Sequence, residues 1–187
     1  MDPDARTGRV TDVALGRLQT TGFAGTTLED IARAADLPDA DLRACFGDME
    51  GLLRHLVSPL VDPLDRLTAS AAAGELRRPA PLREVIEGYF DTLVAHRAVA
   101  GLVLADPDAA ATEPVRRVRT TVMKLRTQLA GGPDADLDRS IRAAAALAAV
   151  ESAVLEFVES DQQVVRDVVI GAAMAILLSA LGAGTGP

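Results

Sequence analysis

The chain has 187 residues, 49% of them hydrophobic and 25% charged, enough apolar material to fold around its own core without disulfide or metal staples and too much for a disordered chain. Its 27 acids outnumber its 19 bases, and the formal charge of −8 makes an overall field that repels nucleic acid and acidic membranes. The single cysteine, Cys45, excludes an intramolecular disulfide, and the charged opening MDPDARTGRV lacks the apolar core of a signal peptide, so the expected location is the cytoplasm.

Strict alternation is rare and aromatics are only 3%, whereas apolar positions recur at three and four residues through most of the chain, which predicts an all-α protein. Val10, Val13, Ala14 and Leu18 form a first helical stripe, and Gly22 stands where a helix end wants a left-handed residue. Thr27-Leu28-Glu29-Asp30 has the spacing of a capping box, a hydroxyl and a carboxylate three residues apart satisfying two free amides, and predicts a second helix over Leu28 to Ala35. Pro38 keeps Leu37 out of helical angles and lets a third short helix start, for which Asp39 is a candidate cap.

Asp48 is positioned to cap a fourth helix carrying Leu52, Leu53, Leu56, Val57, Leu60, Val61 and Leu64 on one broad face. Pro59 and Pro63 remove two amide donors from it, so a kink or a break is expected there, and Ala69 to Pro81 reads as a loop. Helices are predicted next over Leu82 to about His96, over Val99 to Ala105 with Asp106-Pro107 closing it, and along Val115, Val118, Val122, Leu125 and Leu129 up to Gly131-Gly132-Pro133. Asp138 to Val158 and Gln162 to Leu181 are apolar around most of their circumference, and a partner subunit is the natural cover for the face left over. A symmetric homodimer is therefore expected on these two helices, with Leu147, Val154, Val165, Val169, Ala172 and Ile176 at the interface. Val168 to Gly186 carries no charge and approaches the length of a membrane span; a buried bundle helix explains it as well, and no membrane partner is expected.

Two short helices joined by a turn, one helix before them and a longer one after, describe a helix-turn-helix head. The segment GFAGTTLEDIARAADLPDADLRACFGDMEGLL, Gly22 to Leu53, resembles the signature of the TetR family of one-component transcriptional regulators. The resemblance rests on Gly22, Phe23, Thr26, Thr27, Asp30, Ile31, Ala32, Ala35, Leu37, Leu42, Phe46, Glu50, Leu52 and Leu53; the rest of the chain matches in layout only. It implies a three-helix DNA-binding head over residues 1–47 and a helical ligand-sensing and dimerisation bundle over 48–187. It also implies a regulator, normally a repressor, that grips a palindromic operator on double-stranded DNA as a homodimer and responds to a small, largely apolar effector.

The departures concentrate on the turn and the reading helix: the family usually has glycine at Asp36, serine at Pro38, small or hydroxyl residues at Ala40 and Asp41, tyrosine at Arg43, histidine at Cys45 and lysine at Met49. From Met1 to Val57 six bases face ten acids, a balance of −4 where a nucleic-acid reader normally shows a basic face. Few phosphate contacts mean weak affinity and a shallow salt dependence. Arg17, Thr26, Thr27, Ala40, Asp41, Arg43, Cys45 and Met49 are the candidate DNA-contacting positions, with Arg43 able to take a guanine and Arg17, Thr26 and Thr27 able to hold phosphates. The alternative is a TetR-like protein with lost or weakened DNA binding that serves as a sensor or as a partner of another regulator.

Tyr89, Phe90, His96, Met123, Glu151 and Phe157 are the candidate effector contacts, against plain core positions for Met123 and Phe157 and a helix-end position for His96. Glu151 lies among Leu147, Ala148, Val154, Leu155 and Val158, where a carboxylate must be paired, protonated or open to a cavity; an exposed edge is the other reading. Arg116, Arg117, Arg119, Lys124 and Arg126 make one strongly basic helix, read as a solvated face or a dock for an acidic partner. Cys45, His55 and His96 are scattered and no metal-ligand spacing or phosphate loop occurs, so no catalytic residue, metal or cofactor is expected. Cys45 reads as a packed side chain, or alternatively as a redox-sensitive thiol.

Overall fold

The structure, a computed structural model, describes residues 3–74 and 76–182, with side chains from 7 to 179 apart from position 75. Asp2, Asp4 and Arg6 of the charge balance, and the apolar segment beyond residue 182, lie outside what it describes. The described residues form ten α-helices and no strand, as the periodicity predicts.

Helix α1 (Pro3–Thr21) buries Val10, Ala14 and Leu18 and ends at Gly22, whose φ of 73° is the left-handed turn expected there. Helix α2 (Leu28–Ala34) starts with the capping box complete: Thr27 Oγ1 accepts from the Asp30 amide at 3.2 Å, and Asp30 Oδ2 accepts from the Thr27 amide at 3.3 Å. Helix α3 (Asp39–Phe46) follows, but its N-cap is Pro38, with no side-chain hydrogen bond. Asp39 is therefore not the cap; it sits in the first turn, where its carboxylate reaches forward to Arg43.

Helix α4 (Met49–Ala73) begins as expected, with Asp48 Oδ1 accepting from the Gly51 amide at 2.8 Å. Its 25 residues run on through Pro59 and Pro63 without the expected break. Pro59 is exposed and Pro63 half-buried, and the His55 carbonyl that Pro59 leaves without an amide accepts from Ser58 Oγ at 2.8 Å instead. The segment expected to be a loop is correspondingly short: α4 continues to Ala73, and α5 (Pro79–Ala95) begins at Pro79, in a first turn where a missing amide costs nothing. Helix α6 (Arg97–Ala105) is followed by a single-turn α7 (Pro107–Ala110), for which Asp106 is a cap and not merely the end of what precedes it. Helix α8 (Glu113–Ala130) ends at Gly131 and Gly132, and α9 (Leu137–Glu156) and α10 (Gln162–Gly182) complete the chain.

Two compact units emerge. The first takes the chain up to Leu60 together with Ala98–Arg119, and the second takes Val61–Arg97 together with the chain from Thr120 onward. The resemblance places a boundary at 47 and 48, whereas packing carries the first unit further along α4 and adds α6, α7 and the start of α8. In the first unit α2 packs on α1 and α3, burying Leu28, Ile31 and Leu42. In the second unit α5, α9 and α10 pack on one another, with Ile86, Tyr89, Phe90, Leu147, Val150, Val154, Ile170 and Ala173 buried.

That second core corrects the expected dimer residues. Leu147, Val154 and Val169 are buried inside the monomer, Val165 and Ile176 are half-buried, and only Ala172 is exposed. On the same two helices the outward apolar stripe holds Ile141, Ala145 and Ala148 on α9 and Val164, Val168, Ala172 and Ala175 on α10. Helix α10 is long and apolar enough to cross a membrane by length and composition, over Gln162–Ser179. Here one of its faces belongs to the packed α5, α9 and α10 core.

Candidate nucleic-acid interface and effector region

Helix α3 buries Leu42 and presents Ala40, Arg43, Ala44 and Cys45 to solvent, with Asp41 and Met49 half-exposed beside them. This face is what a groove would meet. Its one cation is restrained: Arg43 Nε donates to Asp39 Oδ2 at 2.6 Å, one turn back, and the bond holds the guanidinium pKa above its ordinary value. Arg33 is similarly taken by Glu29 and Asp30, at 2.9 and 3.1 Å, and Arg9 donates to the Ala35 carbonyl. Arg17 and Arg54 are exposed and have no ion-pair partner among the described residues.

The hydroxyls expected to grip phosphate have other work. Thr26 is buried; its hydroxyl donates to the Gly22 carbonyl at 2.8 Å and shares a 2.7 Å bond with Thr21, so it holds the turn together. Thr27 is exposed, but its hydroxyl donates to Asp30 Oδ2 at 2.6 Å. That bond, first among the causes, and the nearby Arg33 lower the Asp30 pKa. Cys45 is exposed and so does not pack as the sequence suggests.

Two positions fix this head in ways that the sequence reading did not assign, Gly51 and Asp106, the latter expected only to close the helix before it. A Cβ on Gly51 would run into the Phe46 carbonyl, so the joint between α3 and α4 closes only around glycine. Asp106 Oδ1 caps α7 through the amides of Asp108 and Ala109, both at 2.9 Å, while Oδ2 accepts from the Phe23 amide at 2.7 Å and so ties the turn after α1 to α7. An Asp-Pro pair at a helix start was the available signal for the cap; nothing local announces the Phe23 bond.

No family model matches the chain. Over 92 residues, 47% of its length, it is 32% identical to the HTH-type transcriptional regulator BetI of Paraburkholderia xenovorans, and it spans 46% of that relative. Among solved structures, AmtR of Mycobacterium smegmatis matches with a TM-score of 0.70 at 20% identity, covering 90% of this chain and 84% of that one. The TetR family transcriptional regulator PfmR of Thermus thermophilus matches with a TM-score of 0.65 at 17% identity, covering 90% and 94%. The chain has the TetR-family fold.

Within this TetR-family fold the expected effector contacts separate. Tyr89 and Phe90 are fully buried on α5, and His96 is the half-buried C-cap of that helix. Met123 and Phe157 are 56% and 51% exposed, so neither is plain core in this chain: Met123 lies on α8, and Phe157 is the residue on which α9 ends. Glu151 is half-buried and its Oε1 accepts from Tyr89 Oη at 2.6 Å, giving the carboxylate a partner in its own chain. Burial first, and Glu151 second, push the Tyr89 pKa well above its ordinary value. Arg116, Arg117, Arg119, Lys124 and Arg126 are all exposed on α8.

Proposed function

We propose that this chain is a TetR-type transcriptional regulator of the cytoplasm, acting as a repressor that binds a two-fold operator as a homodimer and releases it when a small effector occupies the helical bundle. The observation that carries this reading is α3 itself: a short helix between α2, which starts at a complete capping box, and a glycine-locked joint to α4, its outward face made of Ala40, Arg43, Ala44 and Cys45 while its Leu42 is buried. The dimer has its support in the outward stripe of α9 and α10, whose alanines allow close helix approach and whose Val164 and Val168 are 57% and 66% exposed. The effector would act by differing in affinity between two arrangements of the heads, since a ligand shifts an equilibrium only to that extent.

The acidic surroundings of α3 set modest affinity and a shallow salt dependence. A gel shift at low salt, using double-stranded DNA from upstream of the chain's own coding region, is expected to show a retarded band that competitor DNA of unrelated sequence removes less readily. Complete absence of a shift would overturn the DNA-binding reading.

A further inference from the structure

The second unit holds a cleft of about 460 Å³ between the end of α4, the end of α8, the start of α9 and α10. None of the expected effector contacts lines it. Its lining includes the aliphatic Ala71, Leu129 and Leu177 together with three arginines, Arg77, Arg139 and Arg142.

The arginines are unequally committed. Arg142 is fixed, its Nε on Asp138 at 2.7 Å and its Nη1 on Ser179 at 2.6 Å. Arg139 approaches Gly131, and its guanidinium stands 3.7 Å from Asp136, too far for a hydrogen bond. The other Asp136 oxygen is already used in capping α9, accepting from the Arg139 amide at 2.9 Å. Arg77 has no hydrogen bond or ion pair among the described residues. Two guanidiniums therefore bring unspent N–H donors to an apolar floor, in a chain whose net charge is −8. The side chains of Arg139 and Arg142 are only 36% and 34% exposed, so part of the hydration that satisfies a surface arginine is already lost. Among the described residues the three arginines of the cleft outnumber Asp136 and Asp138 by one, and its size falls within the range of small-molecule sites, roughly 300–1,000 Å³.

We propose that this cleft binds an amphipathic organic anion, with a carboxylate or phosphate head against Arg77 and Arg139 and a short aliphatic tail on Ala71, Leu129 and Leu177. The guanidinium fork suits both head groups, and neutral or cationic amphiphiles gain nothing from it. The proposal relies on the regulatory reading only in making this anion the effector; binding itself is independent of DNA.

Calorimetric titration of the full chain with octanoate, octyl phosphate and octanol tests it. One octanoate or octyl phosphate per chain is expected to bind at least about tenfold more tightly than octanol, and more weakly as salt is raised. Whichever anion binds more tightly identifies the preferred head group. The double variant Arg77→Gln with Arg139→Gln, which leaves the Asp136 backbone cap in place, is expected to lose about tenfold in affinity with an unchanged thermal unfolding curve, while Arg54→Gln in the other unit binds as the parent does. Ala72→Phe, at an exposed lining position, is expected to block the tail with the arginines intact. Octanol binding as tightly as the anions, no saturable binding of either anion, or a double variant with parental affinity would each overturn the proposal. Because no DNA is present, such a failure leaves the operator reading standing, and a failed gel shift leaves this site standing.

Discussion

Asp36 occupies the turn between α2 and α3 with φ of 53°, a left-handed conformation in which a Cβ crowds the backbone. The position where the TetR resemblance calls for glycine is thus one where the backbone asks for it too. Asp36→Gly is expected to raise the free energy of unfolding by about 0.5–1 kcal/mol, because relief of the strained backbone exceeds glycine's extra chain entropy. Urea unfolding measures this, and a destabilised variant would show that the turn is not strained as described. Tyr89 makes a second residue-scale prediction. Its raised pKa means that the folded chain keeps the phenolic proton after the unfolded chain has lost it. Its contribution is therefore intact below about pH 10 and is lost as pH rises beyond that value. Tyr89→Phe is expected to cost about 1–2 kcal/mol at neutral pH, through the lost bond to Glu151, and to flatten the alkaline fall in stability. What the sequence made legible at this scale was local: Gly22, the Thr27 and Asp30 box, and Asp48 each act within a few residues. The partner of Glu151 lies 62 residues away and that of Asp106 lies 83 away, separations at which spacing says nothing.

At the scale of elements, helix identity was read well and helix termination less so. Pro59 and Pro63 were expected to kink or break α4; the helix does not break, and the carbonyl that Pro59 orphans finds its donor in Ser58. Phase was the other weakness, since a helix apolar nearly all round gives no unique inner face, and α9 and α10 turned Leu147, Val154 and Val169 inward. Helix α3 carries an element-scale prediction, because one turn holds both the reading face and the carboxylate that restrains its arginine. Asp39→Asn removes a negative charge from that face and frees Arg43. Affinity for operator DNA is expected to rise severalfold at low salt, and the slope of affinity against salt to steepen by about one unit per head as Arg43 reaches a phosphate. An unchanged slope would mean that Arg43 stays away from the backbone. For α2, loss of the hydroxyl in Thr27→Val is expected to return the Asp30 pKa toward that of an ordinary carboxylate, as followed by NMR titration. As the folded value is the lower one, the stabilisation by Asp30 is present above the ordinary carboxylate range and fades as pH falls through the folded pKa. The variant should show a weaker acid-side dependence, since Arg33 still lowers the Asp30 pKa.

For the whole molecule, the proposed dimer would use a surface that the monomer leaves open. The stripe through Ile141, Ala145, Ala148, Val164, Val168, Ala172 and Ala175 is apolar and mostly small, and a Cβ built on Gly171 meets nothing within 4 Å, so a second helix can approach α10 closely there. A two-fold axis through such a stripe places every residue of it in the interface twice, so one substitution is felt twice. Val168→Glu would place two carboxylates in a desolvated interface with no cation in the stripe to neutralise them. The parent chain is expected to sediment as a dimer at micromolar concentration and the variant as a monomer, with its helical circular dichroism unchanged because Val168 is 66% exposed in the monomer. Gln163→Glu, on the same helix but outside the stripe, should leave the dimer intact. If the Val168→Glu chain still sediments as a dimer, the stripe is not the interface. If it is monomeric yet shifts DNA with parental affinity, the reading of paired heads fails as well, since a lone head contacts one half-site and forfeits the contacts that a linked second head would supply.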